Sequence, residues 1–155
     1  MSETSKYQAV VIGAGPGGYV SAIRLGQLGV KTLLIEKEYM GGVCLNVGCI
    51  PSKALIHAAK ESGISEEAAT MGITLELKGV DMKKMQSWKG GIVDKLTGGV
   101  KQLVKGNGCD ILMGTAKLTS PTTIEVENSD GKTTVEAENI AVSYTHLTLP
   151  TILRV

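Results

Sequence analysis

Residues 7–36, YQAVVIGAGPGGYVSAIRLGQLGVKTLLIE, decide the fold of this chain. Tyr7–Ile12 is a short apolar run rich in β-branched residues, which is typical of a strand buried on both faces of a parallel sheet. After a glycine-rich turn, apolar residues recur at helical spacing as far as Gly29, a helix stop. Lys31–Ile35 has the composition of a second buried strand. The stretch therefore predicts a strand–helix–strand unit of an α/β domain with a parallel sheet.

The turn between the first strand and the helix has the pattern Gly-x-Gly-x-x-Gly at Gly13, Gly15 and Gly18. In a dinucleotide site the first glycine permits the tight turn, the second lets the backbone approach a pyrophosphate, and the third lets the helix pack closely. The helix N-terminus adds unpaired N–H groups for the phosphates. Glu36 lies where a carboxylate accepts hydrogen bonds from ribose hydroxyls and repels a 2′-phosphate, which favours FAD or NAD over NADP. We predict an adenine-dinucleotide site, the alternative being an ordinary glycine-rich turn.

Length and composition exclude several classes of protein. A chain of 155 residues corresponds to one domain or to a piece of a larger one. The net charge is +1, without long runs of one sign, so nothing indicates a nucleic-acid or anionic-membrane surface. The uncharged stretch 7–23 is interrupted by glycines and Pro16, so we expect neither a membrane span nor a signal peptide. The expected location is the cytoplasm.

The spacing of two cysteines carries the most chemical information. Cys44 and Cys49 form a Cys-x4-Cys pattern, which does not suit the usual zinc site. Further zinc ligands would have to come from Cys109, His57 or His146, and we predict no metal. Besides a zinc site, two other interpretations of Cys44 and Cys49 are open. They are two unrelated buried thiols or a redox-active pair.

A disulfide needs Cα atoms about 4.4 to 6.8 Å apart, whereas residues five apart on a regular helix are separated by roughly 8.6 Å. A bridge between the two cysteines therefore requires a distorted helix, which Gly48, and to a lesser degree Asn46, can provide. Pro51 favours the first turn of a helix that begins near Cys49. A helix N-terminus with Lys53 nearby stabilises a thiolate, as a redox pair requires.

The glycine turn, together with Gly-Gly-Val-Cys-Leu-Asn-Val-Gly-Cys-Ile-Pro-Ser-Lys at 41–53, resembles the pyridine nucleotide-disulfide oxidoreductases. Residues 45–55 most resemble the dihydrolipoamide dehydrogenases of that family, and the mercuric reductases are the alternative group. The resemblance covers about residues 6–140. It implies an incomplete Rossmann-like FAD-binding domain, with a parallel sheet and a small antiparallel three-stranded β insertion. Val43 stands where many relatives have Thr, which puts only a hydroxyl contact in doubt.

The resemblance implies a role for each site residue. Cys44 would exchange with a dithiol substrate, Cys49 would form the charge-transfer thiolate against the flavin, and Lys53 would approach the flavin ring. Ala116 would offer backbone contacts to the adenine, although composition alone makes its segment only a strand end. The implied FAD contacts are Gly13, Gly15, Pro16, Gly17, Gly18, Glu36, Lys37, Gly41, Gly42, Val43, Cys44, Lys53 and Ala116.

The implied activity is oxidation of protein-bound dihydrolipoamide, with NAD as the final acceptor. NAD would be bound by a domain outside these 155 residues, so we expect the chain alone to be inactive. The implied partners are the dihydrolipoyl domain of a 2-oxoacid dehydrogenase or glycine cleavage complex and a second subunit of a homodimer. Another disulfide reductase and a non-catalytic dinucleotide-binding fragment are the alternatives.

The rest of the chain predicts two further helices and three short strands. Residues 54–69 indicate a helix broken near Gly63, with His57 packing rather than binding a ligand. An apolar stripe predicts a helix over 83–105, and its members are Met85, Trp88, Ile92, Leu96, Val100 and Leu103. We expect the Met and Trp side chains of this stripe in the core, and the four glycines inside the helix need a close tertiary contact. The strands are expected at 109–113, 122–126 and 133–136, where they match the small antiparallel sheet that members of the family insert in the FAD domain. We assign Cys109 no function.

The end of the chain departs from the family. We place the amino-terminal part of an FAD domain at 1–140. Relatives end the next strand in Ala-Thr-Gly, whereas this chain continues AVSYTHLTLPTILRV at 141–155. That tail resembles translated sequencing-adapter read-through, and a genuine divergent tail is the alternative.

Overall fold

The computed structural model describes residues 5–144. Its elements, in chain order, are β1 (Ser5–Ile12), α1 (Pro16–Gln27), β2 (Thr32–Glu36), α2 (Gly42–Asn46), α3 (Cys49–Thr70), α4 (Met82–Gly106), β3 (Asp110–Met113), β4 (Thr115–Ser120), β5 (Thr123–Asn128) and β6 (Gly131–Val142). They form one six-stranded sheet in the order β3-β2-β1-β6-β5-β4. Residues 145–155, which form most of the tail, lie outside the described residues.

The first strand, helix and second strand form the predicted unit. β1 is parallel to β2 on one side and to β6 on the other, so the carboxyl ends of the three strands meet at one edge of the sheet. All five residues of β2 are buried, as expected for a strand covered on both faces. The predicted α/β class with a parallel sheet and an antiparallel part is confirmed.

The strand expected at 109–113 is not part of the antiparallel sheet. β3 is parallel to β2, with Leu33 opposite Asp110 and Glu36 opposite Met113. The antiparallel part consists of β4, β5 and the first half of β6. A strand's composition does not specify its neighbour. Here the direction of the chain leaving α4 brings β3 beside β2, as in a helical crossover between parallel strands.

β6 is longer than predicted and belongs to both parts of the sheet. Its residues 131–136 pair with β5, and Val135–Val142 pair with β1. Ala141 and Val142 lie opposite Val11 and Ile12, so the strand crosses the boundary that we set at residue 140. The departure from Ala-Thr-Gly therefore does not stop the strand from reaching the carboxyl edge of β1.

The two faces of the parallel strands form separate cores. On one face, Val10, Ile12, Leu33 and Ile35 pack against residues of β5 and β6. On the other face, Val11 and Leu34 pack with helix residues, among them Ala22, Val100 and Val104, and with Cys109 just before β3. The sheet is thus covered by helices on one side and by its own antiparallel extension on the other.

Three predictions about the helices were wrong. α3 runs through Gly63 without a break, because one internal glycine costs only about 1 kcal/mol relative to Ala. In α4, Trp88 and Leu103 of the predicted core stripe are 44% and 57% exposed. The glycines at 90, 91, 98 and 99 have no atom of the described residues within 4 Å of a would-be Cβ, so no close contact offsets their cost.

One stretch, Gly42–Thr70, is long and apolar enough to cross a membrane by length and composition alone. It is not one helix, because α2 ends at Asn46 and α3 begins at Cys49. The helices of soluble proteins pass the same test, so the stretch is weak support for a membrane span.

Candidate functional site

A cavity of about 600 Å³ lies at the carboxyl edge of β1 and β2. In open α/β sheets this edge is the usual place of a ligand. The cavity is lined by residues of the glycine turn, the end of β2, the loop before α2, the start of β4 and the segment after β6. They are Ile12, Gly13, Gly15, Pro16, Ile35, Glu36, Lys37, Glu38, Tyr39, Gly42, Val43, Cys44, Gly114, Thr115, Ala116, Ser143 and Tyr144.

The glycine turn is shaped by contacts that exclude side chains. Gly13 has φ +99°, a conformation that L side chains rarely adopt. A Cβ on Gly18 would lie 1.7 Å from the carbonyl oxygen of Gly13, which is far inside any allowed contact. At Gly15, the N-cap of α1, a Cβ would meet no atom of the described residues within 4 Å. The open side of Gly15 therefore leaves space for a ligand against the backbone.

Glu36 is a buried carboxylate held by backbone donors. Its Oε2 accepts a hydrogen bond of 2.6 Å from the N–H of Ala14, and its Oε1 accepts one of 2.9 Å from Glu38. A third N–H, that of Tyr39, lies 3.4 Å from Oε1. These donors compensate for the burial of the charge and fix the carboxylate at the cavity wall. A carboxylate oxygen has further lone pairs, which remain available to hydroxyl donors of a ligand.

The loop before α2 packs directly on the glycine turn. The N–H of Gly41 donates a 2.9 Å hydrogen bond to the carbonyl of Ala14. Gly42 approaches so closely that a Cβ there would lie 2.7 Å from the Cα of Gly15. The turn that approaches the ligand and the segment that carries the cysteines are therefore one rigid wall of the cavity.

The two cysteines lie on either side of a break between helices. Cys44 is within α2, and Cys49 is the first residue of α3, as expected from Pro51 in the first turn of that helix. The break falls at Val47 and Gly48. Asn46 does not distort the helix as we considered, because its side-chain amide instead donates hydrogen bonds to the carbonyls of Met40 and Gly42. Both cysteines are free thiols in this structure.

The thiols interact with one another. A side-chain hydrogen bond with Cys49 is the main reason that the pKa of Cys44 is raised above its ordinary value, and partial desolvation and the charge of Cys49 act in the same direction. The backbone N–H of Cys49 and the ammonium of Lys53 oppose this rise in pKa. The two thiols are therefore an interacting pair next to a positive charge.

The structure brings most of the predicted site residues to the cavity. Gly13, Gly15, Pro16, Glu36, Lys37, Gly42, Val43, Cys44 and Ala116 line it. Gly17, Gly18 and Gly41 are not among the lining residues but belong to the same turn and its neighbouring loop. Cys49 and Lys53 have exposed side chains outside the lining, beside Cys44.

Sequence reasoning missed several residues that line the cavity. Tyr39 follows Glu36 on the loop, and Gly114 and Thr115 precede Ala116. These three residues lie one or two positions from predicted site residues in the sequence, which was a signal that they belong to the site. Ser143 and Tyr144 had no such signal, because only the parallel pairing of β6 with β1 carries them to the glycine turn.

The remaining candidates lie away from the cavity. Cys109 is buried and donates a 3.0 Å hydrogen bond to the carbonyl of Ala22. His57 lies on the exposed side of α3, with its ring centroid 6.4 Å from that of Trp88 and its Nδ1 3.9 Å from Glu61. His146 is outside the described residues.

The sequence and the fold both have known relatives. A profile described as "Pyridine nucleotide-disulphide oxidoreductase" matches residues 7–144. The dihydrolipoyl dehydrogenase of Geobacillus stearothermophilus is 47% identical over 136 residues, which are 88% of this chain and 29% of that protein. The dihydrolipoyl dehydrogenase of Bacillus subtilis is 49% identical over 134 residues, 86% of this chain and 28% of that protein.

A solved structure described as the Cu(II) complex of the HOCl-induced flavoprotein disulfide reductase RclA of Escherichia coli has the same fold. It matches with a TM-score of 0.76 and 26% identity over 94% of this chain and 31% of that chain. This chain thus spans about three tenths of the length of the relatives it matches. The matched profile covers most of residues 1–155, and the chain belongs to the pyridine nucleotide-disulphide oxidoreductase family.

Proposed function

We propose that this chain is the amino-terminal FAD-binding part of a disulfide oxidoreductase that oxidises protein-bound dihydrolipoamide. One observation carries the proposal. Cys44 lines the same cavity as the glycine turn and Glu36, and the thiol of Cys49 is close enough to raise the pKa of Cys44. A dithiol is therefore adjacent to a site with the steric and electrostatic features of an adenine-dinucleotide site.

The described residues fit FAD. Gly15 leaves the turn open to a pyrophosphate at the N-terminus of α1, and the buried Glu36 presents lone pairs to ribose hydroxyls. Ala116 and Thr115 line the part of the cavity next to Glu36, where backbone groups can contact the adenine. When bound, FAD supplies a two-electron acceptor beside the cysteine pair.

The cysteine pair performs the exchange with the substrate. Starting from a Cys44–Cys49 disulfide, a substrate thiolate attacks the sulfur of Cys44, the disulfide breaks, and Cys49 leaves as a thiolate. The second substrate thiol then displaces Cys44 and forms the substrate disulfide. In total, two electrons and two protons leave the dithiol substrate, and the cysteine pair is reduced.

The names of the relatives support the substrate and the acceptor. Both bacterial relatives are dihydrolipoyl dehydrogenases, so we assign a dihydrolipoyl domain of a 2-oxoacid dehydrogenase or glycine cleavage complex as partner. NAD as final acceptor, a homodimer and a cytoplasmic location belong to the same proposal. NAD would bind to a part of the protein outside these 155 residues. The tail at 141–155 is assigned to read-through rather than to the enzyme, and resequencing of the locus tests this.

We expect the full-length protein to oxidise dihydrolipoamide with NAD and to reduce Hg(II) at most slowly. Steady-state assays of the two reactions under the same conditions measure this. A faster reduction of Hg(II) would instead assign the protein to the mercuric reductases.

Binding of FAD by the chain tests the dinucleotide site. We expect Glu36→Gln to weaken FAD binding by about 10- to 100-fold, because a charge-assisted hydrogen bond is worth roughly 1.5 to 3 kcal/mol. Quenching of flavin fluorescence in a titration measures the affinity. Glu38→Gln is the matched control, since Glu38 also lines the cavity but is exposed. Equal losses in the two variants would show that Glu36 has no specific role, and absence of binding by the unmodified chain would contradict the site.

A further inference from the structure

Asn46 is the last residue of the short helix that carries Cys44. That helix, α2, has only five residues, and a helix of this length is not stable in isolation. Other contacts must therefore keep its residues in place. The half-buried side chain of Asn46 supplies two of them, because its Nδ2 donates hydrogen bonds of 3.0 Å to the carbonyl of Met40 and of 2.8 Å to that of Gly42.

The bond to Met40 connects the end of α2 with the loop that precedes this helix. The loop is itself fixed, because the N–H of Gly41 donates a 2.9 Å hydrogen bond to the carbonyl of Ala14 in the glycine turn. An amide nitrogen has two N–H donors, and in Asn46 the two carbonyls use both. Asn46 thus joins the segment between the two cysteines to the wall of the cavity.

The segment between Asn46 and Cys49 folds back against α2. The N–H of Gly48 donates a 2.8 Å hydrogen bond to the carbonyl of Val43, and a Cβ on Gly48 would lie 3.5 Å from the Cα of Cys44. Cys49 then begins α3. A displacement of the end of α2 would therefore carry this turn with it and change the separation of the two thiols.

We infer that Asn46 is a positioning residue for the cysteine pair, which keeps the reduced chain in the conformation from which Cys44 and Cys49 form their disulfide. This role rests on the proposed function, because it concerns the same pair. The two hydrogen bonds and the disulfide restrict the same segment, so the ordering by one lowers the entropic cost of the other. Loss of the Asn46 side chain therefore disfavours the disulfide relative to the dithiol.

Exchange with glutathione tests this role. Cys44 and Cys49 give two electrons and two protons to oxidised glutathione, their S–S bond forms, the S–S bond of glutathione breaks, and two molecules of reduced glutathione leave. We expect Asn46→Ala to lower the equilibrium constant of this reaction about tenfold, as the loss of two neutral hydrogen bonds can produce. For a two-electron couple, this is a rise in the reduction potential of about 30 mV.

The measurement follows the two cysteines without interference from the third. The chain is equilibrated in a series of glutathione buffers, its free thiols are alkylated, and the protein is digested with trypsin. The tryptic peptide 38–53 contains Cys44 and Cys49 but not Cys109. Mass spectrometry of this peptide gives the oxidised fraction in each buffer.

Asn107→Ala is the matched control. The side chain of Asn107 also donates a 2.8 Å hydrogen bond to the carbonyl four residues earlier, that of Leu103. It lies at the end of α4 just before β3, at the edge of the sheet opposite the cavity. The same substitution there should leave the equilibrium constant unchanged.

Asn46→Ser separates the two hydrogen bonds of the amide. A serine in a helix of this chain donates to the carbonyl four residues earlier, as Ser52 does to Gly48 at 2.7 Å. A serine at position 46 therefore retains the bond to Gly42 and loses the bond to Met40. We expect the equilibrium constant to fall about threefold, less than in Asn46→Ala.

The outcomes distinguish this role from the proposed function. Circular dichroism establishes that each variant is folded. An equilibrium constant unchanged in folded Asn46→Ala, or in Asn46→Ser if only that variant folds, would overturn the positioning role, and so would an equal fall in Asn107→Ala. If the unmodified chain forms no disulfide between Cys44 and Cys49 in any glutathione buffer, the proposed redox pair is wrong as well.

Discussion

Gly18→Ala should destabilise the chain by about 3 kcal/mol, at the upper end of the usual cost of overpacking. The added methyl group would lie 1.7 Å from the carbonyl oxygen of Gly13, and that atom belongs to the backbone. A side chain could rotate away, but here either the turn or α1 must move. Because α1 and the turn form the wall of the cavity, FAD binding should be lost as well. Urea unfolding followed by circular dichroism measures the change in free energy.

Gly98→Ala is the matched control. Gly98 lies within α4, is exposed, and has no described atom within 4 Å of its would-be Cβ. The same chemical change should there stabilise the chain by about 0.8 to 1 kcal/mol, because Ala has the higher helix propensity. We therefore expect the free energy of unfolding to fall in Gly18→Ala and to rise in Gly98→Ala. Loss of stability in both, or in neither, would contradict the close approach at Gly18.

Cys49→Ser should abolish the long-wavelength charge-transfer absorbance that we expect from the FAD-loaded chain after two-electron reduction. The band requires a thiolate next to the flavin, and a serine hydroxyl does not ionise in the accessible pH range. In the unmodified chain the band should disappear as the pH falls, because protonation of the cysteine pair removes the thiolate. Absorbance spectra of the reduced protein across a pH series measure both effects.

Cys44→Ser is the control for this experiment. It removes one thiol of the same pair but leaves Cys49, so no disulfide forms, and the band should be present in the FAD-loaded variant without any reductant, while exchange with a dithiol is lost. A band that survives in Cys49→Ser, or one that is lost only in Cys44→Ser, would reverse the roles of the two cysteines.

The strand–helix–strand unit and the beginning of α3 were predictable because their signals are local. The apolar run before Gly13 and the helical spacing after it lie within one stretch of chain, and Pro51 indicates a first helical turn wherever the chain is placed. The glycine pattern is equally local. A turn with φ +99° at Gly13 and a backbone contact at Gly18 depends on residues five apart.

The partner of β3 and the exposure of the α4 stripe were not predictable in this way. A four-residue apolar strand fits a parallel or an antiparallel neighbour, and only the path of the chain after α4 places β3 beside β2. An amphipathic stripe predicts a helix but not what covers it. Within residues 5–144, Trp88 and Leu103 remain largely exposed while Val104, outside the stripe, is fully buried.

The sequence alone determined the α/β class, the turn that approaches a dinucleotide and the two cysteines of the site, because each depends on residues close together in the chain. The tertiary structure decided what surrounds them. Ala14 and Glu36 are 22 positions apart in the chain, and Gly13 and Ser143 are 130 positions apart. Only the pairing of β1 with β2 and β6 brings the members of each pair together. Contacts across such separations depend on strand order and register, which no local pattern specifies.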